Sequence, residues 1–211
     1  MRDVQRRKTL FGIKPPALQK AQLFGLFFLV SGVVPKASGA NLSGQDLTGL
    51  DLRDADLSLA NRKGWTVLMH AANSGKVDAI QLVLEHGSSV KQVSKRRESA
   101  LMLACKSGSA RAVRLLIDYG CEVDDADEDG HTALHYAVAN DNIICARELL
   151  DVGARPDVGD VDGTTPLMYA ASVGSVAACR LLLDSGANVN AANLRGATPL
   201  KHSMAAAANA C

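Results

Sequence analysis

A mainly α-helical solenoid is the fold class this sequence predicts, and three observations predict it. First, a 33-residue register runs along the chain without insertion: Gly87, Gly120, Gly153 and Gly186 keep it, as do Leu68, Leu101, Leu134, Leu167 and Leu200, and Ala71, Ala104, Ala137 and Ala170. Second, each period carries two short apolar stripes at helical spacing with a turn between them. Third, the composition is 47% hydrophobic but only 4% aromatic, which suits close helix packing through alanine. A period of this length marks an array in which one unit cannot bury its apolar face alone and neighbours supply the stability.

The 211 residues divide into units 62–94, 95–127, 128–160 and 161–193, with a truncated fifth at 194–211. Each full unit reads helix, turn, helix, loop. In 161–193, Thr165 is expected at the N-cap and Pro166 at the first helical position. Leu167, Ala170 and Ala171 form the inner face of the first helix, and Gly174 breaks it. Val176, Cys179, Leu182 and Leu183 form the stripe of the second helix, which Gly186 ends through a positive φ. "ANVNAANLRG" is the extended return. Four departures stand out. Arg97 replaces the turn glycine of positions 64, 130, 163 and 196, which predicts a strained or reshaped tip. Asp141 replaces the inter-helix glycine, Glu148 replaces a leucine, and Pro156 replaces a valine. All three lie in the third unit, which is expected to be the weakest. The alanine-rich Lys201–Cys211 is expected to be a helical terminal cap.

The segments "TTPLMYAASVG", "HTALHYAVAND" and "ATPLKHSMA" recur at fixed spacing and resemble the ankyrin repeat, with its T-P-L-H-x-A signature, over 62–211. The resemblance implies a stack of helix pairs, hairpin loops projecting from one edge and a concave groove beside them. It also implies a structural role for His135, bonding between neighbouring units. The implied function is non-enzymatic protein–protein binding through hairpin tips and the exposed first-helix face. Mapped here, the candidate contacts are Lys63, Trp65, Lys95, Arg96, Glu98, Glu128, Asp129, His131, Asp162 and Thr164. Arg62, Val161 and the first-helix ends at Asn73–Ser74, Lys106–Ser107, Ala139–Asn140 and Ser172–Val173 flank them.

Before the 33-residue units comes a period of five. Leu42, Leu47, Leu52 and Leu57 each follow an Asn or Asp, at 41, 46, 51 and 56, and Asn61 keeps the beat. Ala40, Ala55 and Ala60 supply small residues; Gln45 and Leu50 depart. The segment 40–61 resembles the pentapeptide repeat, whose four pentapeptides make one coil of a β-helix. A single coil needs stacking, so this short β coil is expected to cover the first helix pair as an N-terminal cap, with Asn61 as the handover point.

Residues 1–39 form a basic and apolar head. Seven Lys and Arg stand against Asp3 alone within residues 1–40, which leaves 16 basic and 21 acidic side chains for the rest. An acidic body argues against nucleic acid as a partner. "AQLFGLFFLVSGVV" (21–34) is short for a membrane span and has the length of a signal-peptide core. Export or anchoring through this head, with membrane contact at 21–34, stands beside a docked helix or an organelle presequence. The odd number of cysteines, five, with no CxxC, is not a disulfide framework or a zinc site and suits a reducing compartment, so a cytoplasmic location is the alternative.

No catalytic set is present: there is no phosphate loop, GxSxG or HExxH. No cofactor and no metal site are expected. The histidines and cysteines fall where the repeat places structural residues. The partner is therefore another protein, and the chain is expected to be a monomer apart from it. The competing class is a structural subunit of a larger assembly, with the apolar head docked on neighbours. Two surface features stand out. "KQVSKRR" (91–97) is basic and "EVDDADED" (122–129) holds six acids, either to register a partner or as solvated loop charge. Trp65, the lone tryptophan, is a candidate hot spot or, as the favoured alternative, packs on the segment just before it.

Overall fold

The computed structural model describes residues 60–209, with side chains as far as Ala205. The basic head and most of the five-residue repeat, with the export signal and β-coil cap expected there, lie outside the described residues. Within them run nine helices: α1 Val67–Asn73, α2 Val77–Glu85, α3 Ala100–Ser107, α4 Ala110–Asp118, α5 Ala133–Ala139, α6 Ile143–Asp151, α7 Pro166–Val173, α8 Val176–Asp184 and α9 Pro199–Asn209. The odd-numbered helices pack on one another in sequence to form one layer, and α2, α4, α6 and α8 form the second. No strand occurs among the described residues. The loops joining the pairs fold back as hairpins, two of them closed by a single antiparallel bridge, Val93 to Ser99 and Ala126 to Thr132.

Helices α1 to α8, of seven to nine residues, are too short to persist alone, so local capping and burial must hold them. Thr66 Oγ1 accepts from Met69 N and Ser99 Oγ from Met102 N, both at 3.3 Å. Thr165 sits at the expected N-cap with extended backbone, but its buried hydroxyl has no partner. At each α2-type C-terminus the chain turns through a left-handed glycine. The amide that follows reaches back to a carbonyl five residues earlier, as in Ser88 N to Val83 O (3.1 Å) and Cys121 N to Leu116 O (3.1 Å).

The core is a column of equivalent residues. Leu68, Leu101, Leu134 and Leu167 are at most 2% exposed. Each such side chain contributes about 1.5–3 kcal/mol by leaving water. Leu200 holds the same place in the register yet is 70% exposed, with Met204 at 64% one turn on. The helix is kept; the neighbour that would cover it is not there among the described residues.

One predicted stripe needs correction. In α8 the buried residues are Ala178, Leu181 and Leu182, whereas Val176 and Leu183 are exposed and Cys179 is half-buried. Leu182 is buried as predicted, but the buried face is rotated by about one residue from the rest of the predicted stripe. The small Ala178 is buried, and the valine at the helix start is exposed.

The left-handed departures keep the common geometry. Arg97 has φ 60° and Asp141 φ 54°, the conformations that glycine takes in the other units. Arg97 N donates to Ser94 O at 2.9 Å, matching Gly64 N to Asn61 O at 2.9 Å, so the tip is strained and not reshaped. Holding an arginine there costs on the order of 1 kcal/mol. Glu148 is compensated as well. It lies against the guanidinium of Arg114 on the preceding α4, with Arg114 Nε donating to Oε2 at 2.5 Å and Nη2 to Oε1. That hydrogen bond and charge hold the Glu148 carboxyl below its ordinary range.

Candidate partner-binding surface

Among the described residues five hairpin tips project from the stack, at 61–65, 94–98, 127–131, 160–164 and 193–197, and each is closed by its first residue. Asn61 Oδ1 accepts from the amides of Lys63 and Trp65; Ser94 Oγ accepts from Arg96 and Glu98; Asp127 Oδ1 accepts from Asp129 and His131. Asp160 and Asn193 do the same in their tips. The side chain differs from tip to tip, but each offers one oxygen to the amides two and four residues on. Asn61 is thus the first of this series, in step with the 33-residue register.

The tips are also bonded to one another. Lys95 N donates to Lys63 O, Glu128 N to Arg96 O and Val161 N to Asp129 O, each at 3.0 Å, and Leu194 N to Asp162 O at 2.9 Å. At Gly64 the approach is close enough that a Cβ would lie 2.7 Å from Lys95 N, so glycine is required there. The ladder fixes the spacing of whatever side chains the tips display.

Below the third and fourth tips lies a polar cluster. Tyr136 Oη donates to Asp127 Oδ2 at 2.8 Å, and Tyr169 Oη to Asp160 Oδ2 at 3.0 Å. His131 wedges between the two, with Nε2 2.9 Å from Tyr169 Oη and its ring edge-on to Tyr136 and Tyr169. Burial alone would raise Asp160, but the Thr164 and Asp162 amides and the Tyr169 hydroxyl outweigh it and hold it below its usual value. Burial and the neighbouring carboxylates push both phenols well up.

His135 bridges the units as the resemblance implied. Thr132 N donates to Nδ1 at 3.1 Å, so the ring proton sits on Nε2, which donates to Thr164 O at 3.1 Å. Burial lowers this imidazole to about 4.

The predicted site residues divide by what they touch. Trp65 reaches forward: its Nε1 donates to Glu98 Oε2 at 2.9 Å, its ring stands edge-on to His70, and the Lys63 ammonium lies 5.9 Å from the ring centre. Arg96 pairs with Asp129, and Asp162 with Arg195 at 3.6 Å. In the loops below, Lys91 faces Glu122 at 3.8 Å and Arg155 meets Asp124 at 2.8 Å. Much of the segregated charge is therefore met by the adjacent unit. His131 and Thr164 are half-buried between tips. Lys95 and Glu128 are exposed, as are Arg62, Val161 and Leu194, which hold the same place on the other tips. The ends of the first helices at Asn73–Ser74, Lys106–Ser107, Ala139–Asn140 and Ser172–Val173 are exposed beside them.

Sequence reasoning missed the tip-closing series and the pairs that join tips. The signal was present as oxygen-bearing side chains at 61, 94, 127, 160 and 193, hidden because the residue type changes.

Reactive chemistry is poorly supported here. Asp127, Asp129 and His131 place ligand atoms within 4.8 Å of one another. The Asp127 and Asp129 carboxylates are already engaged by two tip amides, Tyr136 and Arg96, so a cation would have to displace those bonds. The described cysteines are free thiols, and burial raises all four, Cys121 to about 12, which opposes thiolate formation.

Comparison with curated proteins gives no match. The family model described as ankyrin repeats (3 copies) matches residues 41–127, 87–160, 113–193 and 152–210, so that it reaches back into the five-residue repeat. With helix pairs in two layers, tips bonded in a row and a match across most of its length, the chain belongs to the ankyrin-repeat family.

Proposed function

We propose that this chain is a non-enzymatic binding module that takes another protein along its hairpin tips and the exposed ends of its first helices. Ankyrin repeats are generally protein–protein interaction modules. The observation that carries the reading is the tip row: a backbone ladder fixes five tips side by side while their outward residues change from Arg62 and Lys95 through Glu128 to Val161 and Leu194. A rigid frame with varied outward chemistry is what selective recognition requires. Of the predicted contacts, Trp65, Arg96 and Asp129 also hold tips together, so they are poor first targets for mutation. A better probe is the combined Arg62→Glu, Lys95→Glu and Val161→Asp variant, compared with the unaltered chain in co-purification from the source. Loss of the co-purifying protein, with the melting temperature unchanged, supports the surface; equal recovery overturns it.

A structural-subunit reading is favoured by one observation, the apolar end at Leu194, Leu200 and Met204, which are 64–80% exposed. Native mass spectrometry of the source complex separates the readings. A fixed stoichiometric assembly with Met1 intact supports the subunit; a chain that starts near Ala40 and associates reversibly supports the module.

A further inference from the structure

We propose that the first two tips bind an acidic segment of the partner polypeptide and that the later tips bind its apolar continuation; this rests on the binding-module reading above. Arg62, Lys63, Lys95 and Arg97 are exposed on two tips that the Lys95 N to Lys63 O bond holds edge to edge. Arg96 and Arg195 are met by Asp129 and Asp162 of adjacent tips, but none of these four makes an ion pair among the described residues. Their charge is left facing outward.

Arg97 makes the case stronger. It holds a left-handed backbone at the one place in the tip where four other tips have glycine, so its presence works against the fold. Its guanidinium makes no hydrogen bond or ion pair among the described residues that would compensate. A strained, solvent-facing arginine amid three other cations is best explained by something outside the chain that needs the charge.

The rest of the row says what kind of anion. After Lys95 the equivalent residues are Glu128, then Val161 at 64% and Leu194 at 80% exposure. A nucleic acid carries its charge along its whole length and would run on to Glu128 and Asp162. A polypeptide can change from acidic to apolar part-way, as this surface does.

The test uses the full chain and a fluorescent peptide of alternating Glu and Asp followed by leucines, in both orders. Binding is expected in low salt, weakening at least tenfold on going to high salt. The Arg97→Gly variant is expected to bind about threefold to tenfold more weakly while melting about 2–4 °C higher, because the strain is relieved. Unchanged affinity in that variant, equal binding of a Lys-for-acid peptide, or displacement by duplex DNA at equal charge concentration would each overturn the proposal. If the acidic peptide fails while the triple tip variant still loses its natural partner, only the acidic assignment falls. If that variant keeps its partner, the binding surface falls with it.

Discussion

Leu101 and Leu200 stand at the same place in their units, three periods apart, and meet opposite fates: one is fully buried, the other 70% exposed. Both open a helix after a Ser or Thr, and both lie in motif segments that look alike. The difference teaches that in a solenoid the motif prepares a residue for burial and the neighbouring units carry it out. The interior pairs have layers on both sides. At α9 the apolar face is formed, and among the described residues nothing covers Leu200 or Met204 to the same degree.

The largest expected effect tests this contrast directly. Leu101→Ala should cost about 2–5 kcal/mol in denaturant unfolding, because it opens a cavity between units. Leu200→Ala should stay within about 0.5 kcal/mol, as for an exposed site. Comparable losses would show that α9 is covered in solution.

His135 sharpens the contrast on the polar side. Its folded value is depressed to about 4 by burial, against about 6.5 when unfolded. The neutral ring is the folded form, so its stabilisation is complete above pH 6.5 and is lost as the pH falls through the window from 6.5 to 4. The loss is on the order of 3 kcal/mol. Subtracting the pH–stability curve of His135→Gln from that of the unaltered chain should reveal this slope; parallel curves would refute it.

Smaller effects come from the departures. Arg97→Gly should stabilise by about 0.5–1 kcal/mol, read as a higher denaturant midpoint at unchanged slope. Glu148→Leu restores the residue of the other units and is expected to be neutral to slightly stabilising, because a surface ion pair contributes little. A chain starting at Ala60 should be less stable than one starting at Ala40 if the five-residue segment serves as a cap. Ala60 is the right cut, because Asn61 closes the first tip.

Much of this fold was legible in the sequence because its signals are periodic. The buried leucines, the capping Ser and Thr, the glycines that end second helices and the bridging His135 all repeat or fall on a recognisable motif. What stayed hidden were relations between units. Arg114 and Glu148 lie 34 residues apart, so the guanidinium that meets this carboxylate cannot be found from the local pattern around position 148. Trp65 reaches forward by one period to Glu98, a relation that no local pattern shows. In α8, Val176 and Leu183 are more apolar than Ala178, so hydropathy alone sets the stripe about one residue off the buried face. The site was half legible. Its residues could be placed on tips, but which charges are met within the chain depends on the tip ladder.

The most direct test of that surface is photo-crosslinking in the source extract, with a photoreactive residue placed at Arg62 on the first tip or at Arg147 on α6. Both positions are exposed, on different parts of the stack. Crosslinking of a partner from position 62 and not from 147 is the predicted result. Crosslinking from 147 and not from 62 would contradict it.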